Sequence, residues 1–181
     1  MKGAVSRRYA KALFAIAKDD GALEPTAEEL VRLGRTAANE ALEPVLRSPL
    51  LSASRRTDLA NTLIDELKVS DLLSRFVRLL ADRQRLADLP GIADFYMRLL
   101  DEEKGRVRLS VRTAVELNDA DQKQLIIAFA NLTGKEVIPT VTVDPDLLGG
   151  VLVEVKGKVY DGSVRAQLDR IANQLAGETI L

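Results

Sequence analysis

The chain has 181 residues, with 26 basic and 27 acidic side chains and neither cysteine nor histidine. Because proteins that neutralise phosphates show a basic excess, this balance argues against nucleic acid as the main partner. The missing residue types exclude disulfides, thiolate nucleophiles, imidazole bases and nearly all structural zinc sites.

The first hundred residues have the apolar spacing of α-helices separated by short breaks. The first predicted helix ends near Gly21, and the second begins after Pro25, with Thr26 as N-cap and Glu29 completing a capping box. Pro44 interrupts or ends the segment that follows. The remaining predicted helices span residues 54–67, 71–88 (capped by Ser70) and 90–104. Short helices with short connections pack as antiparallel neighbours, which predicts an N-terminal all-α six-helix bundle.

The period changes at Gly105. Residues 106–112 alternate apolar and polar side chains, which is typical of a half-buried strand with one solvated face. Asn118 or Asp119 caps a helix, and the strand after it contains Pro139, which places that strand at a sheet edge or a bulge. A hairpin follows over residues 151–155 and 158–160, and then a final amphipathic helix over residues 163–176. We therefore predict an α+β protein with a small C-terminal α+β domain, divided into residues 1–104 and 105–181.

Two predicted helices, the first and the one over residues 71–88, carry more apolar surface than a single core contact requires. They either lie at the centre of the bundle or line a groove for a helix from a partner. The width of the apolar faces alone favours the bundle centre. Arg83 lies within the apolar face of the second of these helices. It marks a groove edge, forms a salt bridge or extends its charge from an apolar surface into solvent.

The final predicted helix has a different, narrow apolar seam. Its members are Val164, Leu168, Ile171 and Leu175. Such a seam packs either on the helix's own domain or in a coiled-coil-like contact with a partner. The sequence leaves both possibilities open.

Several glycine-containing segments resemble chemical motifs without matching them. Gly134-Lys135 and Gly157-Lys158 lack the spacing and the Ser/Thr of a phosphate-binding P-loop. Gly149-Gly150 is better explained as a backbone bend that starts a strand where a side chain would clash. Asp161-Gly162-Ser163 has no histidine to activate its serine, so we interpret it as a turn followed by a helix cap.

No segment of the sequence has the length of a membrane span. The longest apolar runs, such as Leu125–Ala130, are far shorter than the roughly 20 residues that a spanning helix needs. The first ten residues lead directly into an amphipathic pattern and lack the apolar core of a secretory signal. The simplest expectation is a cytoplasmic protein of a bacterial type.

Four segments in order resemble the family of the delta subunit of the rotary ATP synthase, whose mitochondrial counterpart is the oligomycin-sensitivity-conferring protein. The first is Arg8–Phe14 in the first helix. The second is Arg85-Leu86 with Leu89-Pro90, and the third is Glu103, Gly105 and the run 111–117. The most specific is the pair of Gly149-Gly150 and Asp161-Gly162-Ser163-Val164-Arg165. The resemblance covers essentially the whole chain, although residues 22–67 match in pattern only.

The resemblance implies a non-catalytic stator subunit of the peripheral stalk, held on the cytoplasmic face of the bacterial inner membrane through the complex. It implies no cofactor, no metal, no direct nucleotide and no nucleic acid. The N-terminal bundle would bind the N-terminal segment of an alpha subunit, and the C-terminal domain would bind the b subunits. The alpha-binding residues expected by position are Tyr9, Leu13, Phe14, Phe76, Leu79, Leu80 and Arg83. The expected b-binding residues are Leu168, Ile171 and Leu175, and the structural signature is Gly149, Gly150, Asp161, Gly162 and Ser163.

Two other function classes compete with the stator. An RNA-binding protein of two domains would need a basic excess and exposed aromatic side chains, and aromatic residues make up only 4% of this chain. An enzyme that uses carboxylates would need a paired-acid motif, which the sequence does not contain.

Overall fold

The protein is described from a computed structural model, which covers the backbone of residues 2–48, 50–155 and 157–177 and the side chains of residues 3–48, 50–155 and 157–173. Over these residues it is an α+β structure with eight α-helices, one 3-10 turn and four strands. The chain divides into two compact units, Met1–Leu100 and Asp101–Leu181. None of the described helices is both long enough and apolar enough to cross a membrane.

The first unit is helical and has one hydrophobic core. Its elements are α1 (Lys2–Asp19), α2 (Leu23–Ala37), α3 (Glu43–Arg47), α4 (Ala53–Leu67), α5 (Asp71–Asp82), a 3-10 turn (Leu86–Asp88) and α6 (Leu89–Glu103). Each of these elements contributes at least one buried side chain to the core, among them Leu30 and Leu33 from α2 and Leu73 and Leu80 from α5. Full burial of such a leucine contributes about 1.5–3 kcal/mol.

The second helix differs from its prediction at its N-terminus. It begins at Leu23, so Thr26 lies inside α2 and is not its cap. The Thr26 side chain is buried and hydrogen-bonds to Tyr96, whose hydroxyl also donates to the Leu23 carbonyl oxygen at 3.1 Å. Pro44 is also placed differently, because it lies in the first turn of α3 and does not end a helix.

The helix predicted over residues 71–88 ends at Asp82. Gln84 adopts a left-handed conformation with φ of 57°, and the amide of Arg85 donates to the Leu80 carbonyl at 2.7 Å. Together with the bond from the Gln84 amide to the Ala81 carbonyl, this is a Schellman motif, which stops the helix. Arg83 is therefore the exposed C-cap of α5 and not an interior residue of a longer helix.

The second unit is a four-stranded sheet with two helices. In chain order these are β1 (Arg106–Thr113), α7 (Asp119–Thr133), β2 (Glu136–Val143), β3 (Gly150–Val155), β4 (Lys158–Ser163) and α8 (Val164–Gly177). The strand order is β2-β1-β3-β4, in which β1 and β2 are parallel and the other pairs antiparallel. The edge position predicted for the strand that contains Pro139 is confirmed, since β2 ends the sheet.

Alternation along the strands builds the second core. Val111 pairs with Val141 on one side and Val153 on the other, and the core face of the sheet packs against α7 through Leu125 and Phe129. The Asn118 side chain caps α7 by accepting a hydrogen bond from the Asp121 amide at 2.8 Å, as predicted.

A bidentate ion pair fixes β1 to the last turn of α6. The guanidinium of Arg108 donates to both oxygens of the buried Asp101 carboxylate, at 2.6 and 3.2 Å. Two parallel charge-assisted bonds hold both the distance and the orientation of the two groups. The start of β1 is therefore held by Asp101, the first residue of the second unit.

Candidate functional site

An exposed apolar stripe runs along α1. Val5, Tyr9, Ala12 and Ile16 follow one another at intervals of three or four residues, so they share one face of the helix. Ala12 and Ile16 are exposed, Ile16 by 49%, whereas Val5 and Tyr9 are half-buried. This face of α1 is not covered by the rest of the helical unit.

A second stripe on α5 meets the first. Leu72, Phe76 and Leu79 share one face of α5; Leu72 is half-buried, Phe76 is buried and Leu79 is 44% exposed. The rings of Tyr9 and Phe76 make an edge contact, with centroids 6.3 Å apart, which joins the two stripes. We call the combined patch, formed by Val5, Tyr9, Ala12, Ile16, Leu72, Phe76 and Leu79, the α1–α5 surface.

The structure separates the residues expected at this surface into three groups. Tyr9, Phe76 and Leu79 come together on it. Leu13 and Leu80 are buried in the core of the helical unit. Phe14 faces elsewhere, because its ring contacts Tyr96 of α6 at 5.3 Å.

Arg83 is exposed at the end of α5, one helical turn beyond Leu79. The alpha-binding residues expected from the sequence do not include Ile16, Ala12 or Leu72. Helical spacing from Tyr9 to Ile16 and from Leu79 back to Leu72 is the signal that could have found them.

The seam of α8 is also uncovered. Leu168 is 55% and Ile171 52% exposed, and Val164 is partly exposed. The described part of α8 therefore does not bury its apolar seam on its own sheet. The remaining seam residue, Leu175, and the terminal residues 178–181 lie outside the described side chains.

Gly150 allows close backbone contact between β3 and β4, and Gly149 allows the chain before β3 to approach the start of α8. Gly150 has φ of +82°, and a Cβ placed there would lie 2.4 Å from the Gly162 carbonyl oxygen. A Cβ on Gly149 would lie 2.9 Å from a methyl group of Val164. A larger residue at Gly150 would push β3 away from β4, and one at Gly149 would press on Val164 at the start of α8.

Asp161 and Ser163 complete this junction through hydrogen bonds. The Ser163 amide donates to Oδ1 of Asp161 at 2.9 Å, and Ser163 Oγ accepts from the Ala166 amide at 3.2 Å, which caps α8. The Val164 amide donates to the Gly149 carbonyl at 3.0 Å. Hydrogen bonds from the side chain and the backbone of Ser163 hold the pKa of Asp161 below its usual value. The signature residues thus hold the start of α8 against the β3–β4 hairpin, which orients the α8 seam. Their role is structural.

Acidic side chains are the only candidate metal ligands in a chain without cysteine and histidine. Among the described residues, no three of them gather in a group that could hold a metal ion. The candidate functional sites of the described chain are therefore its two uncovered apolar faces, the α1–α5 surface and the α8 seam.

Comparisons with known proteins agree on one family. The sequence model described as "ATP synthase delta (OSCP) subunit" matches residues 5–175. ATP synthase subunit delta of Desulforamulus reducens is 36% identical over 180 residues, covering 99% of each chain. The protein of the same name from Chlorobium phaeovibrioides is 39% identical over 171 residues, or 94% of each chain.

The fold also has a counterpart among solved structures. A chain in the cryo-EM structure of the Toxoplasma gondii mitochondrial ATP synthase hexamer superposes with a TM-score of 0.69. The match covers 94% of this chain and 97% of that one, at 22% sequence identity, so it carries the fold alone. Nothing in these comparisons favours the RNA-binding alternative.

Proposed function

Because the chain belongs to the ATP synthase delta (OSCP) family, we propose that it is a non-catalytic stator subunit of an ATP synthase. It links the catalytic head to the b subunits of the peripheral stalk. Through that complex it is held at the cytoplasmic face of the bacterial inner membrane. The protein itself uses no cofactor and performs no chemical step.

The helical unit, acting as a six-helix bundle, binds the N-terminal segment of an alpha subunit on the α1–α5 surface. The observation that carries this proposal is the pair of apolar stripes, which are exposed at Ala12, Ile16 and Leu79 and joined by the Tyr9–Phe76 contact. An amphipathic helix laid along such a surface buries its own apolar face against Ile16 and Leu79. Each of these half-exposed side chains then contributes on the order of 1 kcal/mol of further burial.

The second unit binds the b subunits through α8. Leu168 and Ile171 give it a narrow apolar seam that suits packing against one or two long helices. The junction of Gly149, Gly150, Asp161 and Ser163 fixes the first turn of α8 to the β3–β4 hairpin. Force applied to α8 is therefore passed to the sheet through several backbone contacts.

The mechanism is mechanical. While the rotor turns, the catalytic head experiences torque and would rotate with it unless it were tethered. A tether must stay bound through each cycle, so slow dissociation from both partners matters more than any chemical group. Extended apolar contacts suit this requirement, because affinity differences between related complexes reside mostly in the dissociation rate.

Calorimetric titration of the full chain with a peptide from the N-terminus of the matching alpha subunit tests the proposal. We expect a Kd of micromolar or tighter, about -8 kcal/mol, with a negative heat-capacity change from apolar burial. Leu79→Asp should weaken binding at least about tenfold, since it places a charge in an apolar contact.

The control is Leu132→Asp, which changes an exposed leucine on α7 of the other unit and should leave peptide binding intact. Absence of binding by the folded chain, or equal binding by the Leu79→Asp variant, would remove the α1–α5 surface as the alpha site.

A further inference from the structure

We infer that the surface for the b subunits extends beyond α8 onto the turn before β3, where Leu148 supplies a further apolar contact. The inference deepens the proposed function and rests on it, because it adds a residue to the surface that the second unit offers to the same helical partner. It follows from the close approach of that turn to the first residue of α8.

Leu148 is an apolar side chain that an ordered turn holds in solvent. The Leu147 amide donates to the Asp144 carbonyl at 3.1 Å, and the Asp146 amide donates to Oδ1 of Asp144 at 3.1 Å. Leu147 is half-buried, whereas Leu148 is 71% exposed. Single exposed leucines are common on protein surfaces, so the meaning of Leu148 depends on the side chains that lie beside it.

The α8 seam begins beside this turn. The Val164 amide donates to the Gly149 carbonyl at 3.0 Å, and a methyl group of Val164 lies 2.9 Å from the position of a Cβ on Gly149. Because consecutive Cα atoms are about 3.8 Å apart, this methyl group lies within about 8 Å of the Leu148 Cα. Val164 is itself 38% exposed and is followed on the same face of α8 by Leu168 and Ile171. Leu148 therefore lies at the N-terminal end of the seam.

The seam alone is small for a tether. Its three described members, Val164, Leu168 and Ile171, are only partly exposed, and they extend over two helical turns, about 10 Å of helix. A standard interface buries about 800 Å² on each partner, of which three such side chains supply a minor share. A helix of b that follows the seam past the first residue of α8 meets Leu148 next, because residue 149 has no side chain to separate them.

Binding of the full chain to the soluble part of the b subunits tests the inference with three variants. Leu148→Asp should weaken binding at least about tenfold, because it places a charge in an apolar contact, whereas Leu148→Met should keep the affinity within about twofold. The matched control is Leu132→Asp, which changes a leucine that is 60% exposed on α7, at the opposite end of β2 from the turn. It should leave b binding intact.

Circular dichroism and urea unfolding of the variants should match those of the unmodified chain, since both leucines are exposed. Equal binding of b by Leu148→Asp and the unmodified chain would overturn the inference alone and leave the α8 seam as the b site. An equal loss in Leu132→Asp would assign the effect to the added charge and would also overturn the inference. Failure of the unmodified chain to bind b would overturn the inference together with the proposed role of α8.

Discussion

At Gly150 the backbone leaves no space for a side chain. Its φ of +82° disfavours any L-residue, and a Cβ would lie 2.4 Å from the Gly162 carbonyl oxygen and 2.9 Å from the Ser163 Cα. We predict that Gly150→Ala destabilises the second unit by about 2 kcal/mol or more, because backbone strain and a backbone clash act together. Hydrogen exchange of the β3 and β4 amides measures this loss within the unit concerned.

Gly157 provides a matched control in the same hairpin. It has φ of +78°, but no atom lies within 4 Å of the position of its Cβ. Gly157→Ala should therefore cost only the conformational strain, about 1 kcal/mol. If the two alanine variants exchanged equally fast, the close contact at Gly150 would not be what the glycine provides.

Tyr96 makes the helical unit sensitive to alkaline pH. Burial raises its pKa from 10.0 to about 12, although a hydrogen bond with Thr26 acts in the opposite direction. The stability that the protonated Tyr96 contributes to the folded unit is fully present below pH 10 and is lost as pH rises toward 12. In that window the unfolded chain loses the proton first, and stability falls by at most about 1.4 kcal/mol for each pH unit.

Tyr96→Phe should remove this fall of the unfolding free energy with pH. It should also cost about 1 kcal/mol at neutral pH, since the hydroxyl no longer donates to the Leu23 carbonyl. Urea unfolding followed by circular dichroism between pH 9 and pH 12 checks both effects. The surface variant Tyr160→Phe, in the second unit, serves as control. A slope that persists in Tyr96→Phe would assign the alkaline sensitivity to other groups.

The exposure of neighbouring residues on one helix could not be predicted from the sequence. Leu79 and Leu80 have identical side chains, yet one is 44% exposed and the other fully buried. The family resemblance implied both at the partner surface, and apolar spacing does not separate them because each continues an apolar face of a helix. Which side of that face meets the core depends on α2, α4 and α6. The packing of those helices cannot be predicted from the sequence of α5 alone.

Among the elements, strands were more predictable than helix ends. The alternation in β1 fixed its type and its buried face, since every second residue from Val107 to Thr113 is buried. The edge position of β2 is one of the two alternatives, edge or bulge, that Pro139 predicted, because proline cannot donate to a neighbouring strand. These signals are local, so they survive without knowledge of the tertiary structure.

The end of α5 was not predictable from composition. A Schellman motif normally has glycine at its left-handed residue, and here that residue is Gln84. The continuing apolar residues Leu86 and Ala87 belong to the 3-10 turn and pack into the core from a new direction. The helix over residues 71–88 was therefore predicted too long, and Arg83 is its C-cap and not an interior residue.

The exposed seam of α8 leads to a prediction at the same scale. Ile171→Asp should change the stability of the second unit by less than about 0.5 kcal/mol, because the side chain is half-exposed and contributes nothing to the buried core. It should nevertheless reduce binding to the soluble part of the b subunits. The buried Val153→Asp, by comparison, should unfold the unit. Unfolding by Ile171→Asp would mean that α8 packs on its own sheet.

At the scale of the whole molecule, each compact unit leaves an apolar helical face uncovered among its described residues. One is the α1–α5 surface and the other is the α8 seam, and they lie on separate units of a chain with balanced charge. This arrangement is what a connector between two helical partners requires. Periodicity showed surplus apolar surface on the helices but left open whether it was buried or uncovered, and only the family resemblance suggested the identity of the partners.

The most direct test of the connector is sedimentation of a three-part mixture: the catalytic head, the soluble part of the b subunits and this chain. We predict that b travels with the head only when the chain is present. The Leu79→Asp variant should travel with b alone, and Ile171→Asp with the head alone. Displacement of one partner by the other, or sedimentation of b with the head in the absence of the chain, would contradict the account.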